Sequence, residues 1–130
     1  PIVSFVRIDD HPVRIYSQIK KPDMIIVLDP TVMETVNVLD GLKDGGAIFI
    51  NTHENVQFPD KFTVHKADLT GIALSENLVV AGSPILNTPV IGALAKLGLF
   101  TPESGEAAIT DTFTDTRNVT VAKKAYDEVI

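Results

Sequence analysis

The chain has 130 residues, of which 45% are hydrophobic and 22% charged, so it holds material for one packed core and is too short for two. Eleven basic against seventeen acidic residues give a net charge of −6, and no stretch gathers the Lys and Arg into a patch, which disfavours a nucleic-acid backbone as partner. Cysteine is absent, which removes disulfides, thiolate zinc sites, cysteine nucleophiles and thiolate-held iron–sulfur clusters together.

The longest apolar runs, such as 24–28, fall far short of the roughly 20 residues a membrane-spanning helix needs. The first residues carry no export-signal pattern, so a soluble, cytoplasmic protein is expected.

Val3 to Ile8 is β-rich, Asp9-Asp10-His11-Pro12 is a turn cluster, and Val13 to Tyr16 is apolar again. Together they predict a hairpin or a bent pair of strands. After the break at Lys20 to Asp23, Met24 to Leu28 reads as a central parallel strand, apolar on both faces. Thr31 with Glu34 three residues on is a capping-box pattern, and Val32, Val36, Leu39 and Leu42 continue it as a helix that stops near Gly41 to Gly46. Ala47 to Ile50 is a second buried strand closed by Asn51-Thr52, and Phe62 to His65 a short third one.

Asp68 suits the N-cap of a helix through Leu69, Ile72 and Ala73. Leu78 to Gly82 fits either a short strand or a packed loop. Thr88-Pro89 is a cap followed by a first-turn proline, for a helix with Val90, Ile91, Leu94 and Leu97 on its apolar face and Gly98 at its end. Thr101-Pro102-Glu103 repeats that start for a helix to about Phe113, and Asn118 could cap a last helix striped by Val119, Ala122, Tyr126 and Val129. Strands alternating with helices imply parallel pairing and an α/β fold, a three-layer sandwich around a mostly parallel sheet.

Ligands of such sheets gather at the carboxyl ends of the strands, so Asp29, Asn51 and Thr52 are the positions to inspect, with Asn87 and Thr88 before the later helix. The same residues also suit plain structural duty: Asp29, Thr31 and Thr88 as caps, Asn51 in an Asx-turn. His11, His53 and His65 are scattered, without the spacing of a metal site. There is no Gly-x-Ser-x-Gly, no P-loop and no Gly-x-Gly-x-x-Gly. The residues by themselves describe an α/β domain without a visible catalytic set.

Phe5 to Arg14 (Phe-Val-Arg-Ile-Asp-Asp-His-Pro-Val-Arg), Ser17-Gln18-Ile19 and Pro22 to Pro30 resemble the gamma subunit family of pyruvate:ferredoxin and related 2-oxoacid:acceptor oxidoreductases. Gly41 to Gly46 leading to Ile50-Asn51-Thr52, then Ala67 to Thr70 with Ile72-Ala73, then Asn87 to Lys96 follow in the family's order.

The resemblance implies a subunit of an enzyme that decarboxylates a 2-oxoacid, pyruvate first among candidates, and passes the electrons to ferredoxin while forming an acyl-coenzyme A. Thiamine diphosphate, magnesium and iron–sulfur clusters would sit on alpha, beta and delta-type partner subunits. No cofactor is expected on this chain alone. Asp29, Asn51, Thr52, Asn87 and Thr88 would form the edge toward a partner or coenzyme A, and no catalytic or metal-ligating residue is assigned.

Members of the family begin with a strand and a Gly-rich turn before the segment matching Val3. Their absence here makes residues 1–130 one gamma-type domain read as an incomplete Rossmann-like unit, a fragment or a truncated relative, with a neighbouring central strand left exposed. The alternative is a stand-alone small-molecule-binding or regulatory α/β domain, and a third reading is a purely structural scaffold.

Overall fold

The computed structural model describes residues 2–130. Three parallel strands form the sheet in the order β1 (Met24–Val27), β2 (Ala47–Asn51), β3 (Thr63–Ala67), with Met24 beside Ala47 and Ala47 beside Thr63. Ile48, Phe49 and Ile50 of β2 are all inaccessible. Since neighbouring side chains on a strand point to opposite faces, both faces of the sheet are covered, as a parallel sheet requires.

The expectation for Met24 to Leu28 needs correcting on one point: β1 is an edge strand, not a central one, and Ile26 is 40% exposed there. Its apolar run reads as buried on both faces, but among the described residues only β2 pairs with it. At the other edge the chain's last residue lies against β3, with reciprocal backbone hydrogen bonds between Lys66 and Ile130 at 3.1 Å.

Two further expectations fail for identifiable reasons. Val3 to Ile8 and Val13 to Tyr16 form no strand: no ladder joins them, and within 2–22 Arg7 Nη2 donates to the Ser17 carbonyl at 2.9 Å. The helix expected from Thr31 to Leu42 shrinks to a 3-10 turn, Pro30–Glu34. β-Branched Val32, Thr35, Val36 and Val38 resist helix formation. Asn37 diverts the backbone by accepting from Leu39 N–H. Gly41 then turns with φ +81°, at a place where a Cβ would lie 2.0 Å from the Lys20 carbonyl oxygen.

From Asp68 onward the reading of the chain and the structure agree more closely. Helix α1 (Leu69–Ser75) is capped by Asp68, whose Oδ1 accepts from Gly71 N–H at 2.9 Å. The stretch left open at Leu78 to Gly82 is a two-stranded hairpin, β4 (Val79–Val80) against β5 (Ser83–Pro84), joined by Ala81 and Gly82, both at positive φ. This is the geometry of the tight turns that match strand twist. Helices α2 (Pro89–Lys96), α3 (Pro102–Thr112) and α4 (Arg117–Glu128) complete the chain.

The core joins Phe49 of the sheet to Leu69 and Ile72 of α1, Ala93 of α2, and Val121 and Ala125 of α4. α2 and α4 make the closest helix pair. Gly92 permits this, because a Cβ there would fall 1.8 Å from the Ala122 carbonyl oxygen. α4 begins after Thr116, so Asn118 lies inside the helix and is not its cap.

Candidate functional site

The carboxyl ends of the three strands are stitched together by one side chain. Asn51, at the end of β2, is 4% exposed. Its Nδ2 donates to the Leu28 carbonyl just past β1 and to Thr70 Oγ1, each at 2.9 Å. Its Oδ1 accepts from the N–H groups of Leu69 at 2.8 Å and Thr70 at 3.3 Å. An amide carries two donors and an acceptor with two lone pairs, so Asn51 has used its full capacity. The first N–H groups of α1, which would otherwise be open to an anion, are taken by Asn51 and Asp68.

The neighbours of Asn51 differ in accessibility. Asp29 is exposed and caps the 3-10 turn, its Oδ1 accepting from Thr31 Oγ1 at 2.7 Å and Thr31 N–H at 3.1 Å. Those two hydrogen bonds, the hydroxyl's first, hold its carboxyl below the ordinary value for aspartate. It is therefore an anion at neutral pH, suited to accept from amino or hydroxyl groups and unsuited to phosphate. Thr52, half-buried, accepts from Glu54 N–H at 3.1 Å and turns the chain away from the sheet.

Thr88 belongs to a different network. It is 1% exposed, and Oγ1 donates to Asn118 Oδ1 at 2.9 Å, while Asn118 Nδ2 donates to the Asp115 carbonyl at 3.0 Å. Thr88 makes no side-chain cap for α2; it ties the start of α2 to the start of α4. Asn87 beside it is exposed. The networks of Asn51 and Thr88 share no member. Among the described residues every buried side-chain polar atom has a partner.

Sequence reasoning named Asn51 and Thr88 but missed what they bind. Thr70 follows the Asp68 cap, and that cap was the available signal that the start of α1 would need further acceptors. Asn118 has the residue type of a cap, and nothing in its sequence setting points to Thr88 thirty positions away.

The chain's remaining chemistry is sparse. A shallow depression of about 460 Å³ lies between the 33–39 segment and Phe58, and an open one of about 610 Å³ runs along Glu103, Glu106 and Thr110 of α3. Neither includes a candidate residue. No group of three His, Asp or Glu that could hold a metal occurs among the described residues. With no cysteine in the sequence, the donor set does not fit an iron–sulfur cluster. No helix is long and apolar enough to cross a membrane among the described residues.

Comparison with known proteins decides the family. Residues 1–128 match the model described as pyruvate ferredoxin/flavodoxin oxidoreductase. The chain belongs to that oxidoreductase family. The pyruvate/ketoisovalerate oxidoreductases common subunit gamma of Thermococcus kodakarensis is 39% identical over 142 aligned positions, covering 100% of this chain and 74% of that protein. Pyruvate synthase subunit PorC of Methanocaldococcus jannaschii is 40% identical, covering 100% of this chain and 72% of its own length.

The crystal structure of pyruvate oxidoreductase subunit PORC from Thermotoga maritima superposes with a TM-score of 0.71 at 29% identity, over 86% of this chain and 66% of that one. This oxidoreductase-family chain therefore spans about three quarters of its curated relatives and just under two thirds of the solved chain. Its α/β architecture is that of PorC, and its role is that of a gamma-type subunit in 2-oxoacid oxidoreduction.

Proposed function

We propose that the chain is the gamma part of a cytoplasmic complex that oxidatively decarboxylates pyruvate or a related 2-oxoacid, forms the acyl-coenzyme A and reduces ferredoxin. Thiamine diphosphate, magnesium and the iron–sulfur clusters reside on alpha, beta and delta-type partners. The observation that carries this reading is the family match over residues 1–128 at about 40% identity to gamma and PorC subunits. Cysteine is absent from the sequence, so this chain supplies no thiolate ligand for a cluster.

The residues at the strand ends divide the work. Asp29, Thr52 and Asn87 are accessible and are the residues that meet a partner or coenzyme A, Asp29 through amino or hydroxyl groups and not phosphate. Asn51 and Thr88 are buried and give that edge its shape. Selection of the 2-oxoacid lies on other subunits. Relatives named as common to pyruvate and ketoisovalerate oxidoreductases support this, because one gamma chain then serves two substrates.

The test is co-purification of the tagged full chain from its native host, followed by assay of pyruvate- and coenzyme A-dependent ferredoxin reduction. The expected result is recovery of thiamine-bearing and iron–sulfur-bearing partners with that activity. Recovery of the chain without any such partner overturns the proposal.

A further inference from the structure

Two aspartates precede a glycine in this chain, Asp40-Gly41 and Asp44-Gly45, both in the connection between β1 and β2. No asparagine does. An Asp-Gly pair is prone to rearrange without any enzyme, because glycine has no side chain to shield its nitrogen from the preceding carboxyl. All four residues are exposed, yet the fold treats the two pairs differently.

At Asp40-Gly41 the linking peptide unit is free at both ends. Among the described residues neither the Asp40 carbonyl nor the Gly41 N–H makes a hydrogen bond, and the Asp40 carboxyl has neither a donor nor a cation beside it. The backbone on either side is held, by Asp40 N–H donating to the Asn37 carbonyl at 3.2 Å and Leu42 N–H to the Leu39 carbonyl at 3.0 Å. The peptide plane therefore turns between two fixed Cα atoms, and Gly41, without a Cβ and already at φ +81°, takes up the change.

Asp44-Gly45 is tied down. Gly45 N–H donates to the Lys61 carbonyl at 3.1 Å, and Asp44 Oδ1 accepts from Lys61 Nζ at 2.9 Å. The ion pair is open to water and counts for little. The backbone bond counts for more, since the Gly45 nitrogen has to leave it before it can attack a carboxyl.

We infer that Asp40 is a site of spontaneous backbone isomerisation and that the fold protects Asp44 from the same reaction. The Gly41 nitrogen bonds to Asp40 Cγ, and the hydroxyl of the acid form leaves as water with the amide proton, closing a succinimide. Water then adds to the main-chain carbonyl carbon of Asp40 and breaks its bond to the Gly41 nitrogen. The chain now runs through the β-carboxyl and the α-carboxylate stands free. The water lost is regained, and nothing is oxidised or reduced. The backbone gains a methylene inside the turn that Leu42 N–H closes on the Leu39 carbonyl, and buried Leu42 is the side chain it displaces.

The experiment ages the full chain in neutral buffer made with heavy-oxygen water, folded and in parallel in urea. Peptide mass spectrometry reads the label, and Asp-N protease, which cuts before aspartate but not before its β-linked isomer, reports each position. In the folded chain, position 40 is expected to take up label and lose cleavage at least about fivefold faster than position 44, the factor that one hydrogen bond of ordinary net strength provides. In urea the two rates should converge. D40E, an exposed change that prevents the five-membered ring, should abolish the signal at 40 and leave position 44 as in the parent.

Equal rates in the folded chain, or position 44 ahead, overturn the inference, as does an absence of label at 40 or its persistence in D40E. A lead of position 40 that survives in urea shows local sequence and not the fold to be the cause, and overturns it too. The proposed complex stands or falls independently of these outcomes.

Discussion

Replacing Asn51 with alanine tests the stitch at the carboxyl end of the sheet. The substitution removes four hydrogen bonds at once. The Leu69 N–H lies in a fully buried setting and is left without an acceptor, which costs about 2 kcal/mol. The Leu28 carbonyl and the two groups of Thr70 are part-buried, so water replaces some of what is lost and each costs about 0.5 kcal/mol. The expected loss is roughly 3–4 kcal/mol.

With about 2.1 cal/mol/K of unfolding entropy per residue, a 130-residue chain converts that loss into a fall in melting temperature of about 12 °C. Urea denaturation followed by circular dichroism measures it, with an unchanged m-value as the sign that the unfolded state is unaltered. T70V, which removes a single partner of Asn51 Nδ2, should cost about 1 kcal/mol. A loss below 1 kcal/mol for N51A, or one no larger than that of T70V, would refute the reasoning that this amide holds the three strand ends together.

Other outcomes follow from the same geometry. G92A should destabilise by about 3 kcal/mol or more in the same denaturation assay, because its methyl would overlap the Ala122 backbone and force α2 from α4. G105A, whose Cβ meets only side chains of Ile91 and Phe100 at 3.1 Å, should cost much less. T88V keeps the shape but leaves Asn118 Oδ1 buried without its donor, an expected loss of about 1–2 kcal/mol by thermal melting. Asp115, held by Arg117 first through the side-chain hydrogen bond, has its carboxyl lowered from 3.8 to about 2. A lowered folded value means its contribution is complete above pH 3.8 and is lost as pH falls to about 2. D115N should therefore flatten the acid limb of a stability-against-pH curve in that window and leave its slope above pH 5 as in the parent; an unchanged acid limb would contradict the assignment.

What could be read from the residues depended on how locally each element is determined. Ala47 to Ile50 announces a buried strand by composition, and Asp68, Thr101-Pro102 and Pro89 announce helix starts by chemistry confined to a few residues. Met24 to Val27 was legible as a parallel strand, but its own residues do not say which strand lies alongside, because position in a sheet is set by the neighbours. The 31–42 segment has apolar spacing compatible with a helix, and β-branched residues with Asn37 outweigh it. Val3 to Tyr16 has strand composition without a pairing partner, and composition alone forms no ladder. At the strand ends, Asn51 was visible as a residue, whereas its four hydrogen bonds reach two separate segments, Leu28 and Leu69–Thr70, that only the folded chain brings to it.

The reciprocal bonds between Lys66 and Ile130 give the sheet unlike margins, one occupied by the chain's own final residue and one vacant along Met24–Val27. The outward backbone groups of Met24–Val27 find no ladder partner among the described residues, whereas Lys66 on β3 already has one, so the two margins offer unequal numbers of open hydrogen-bonding groups.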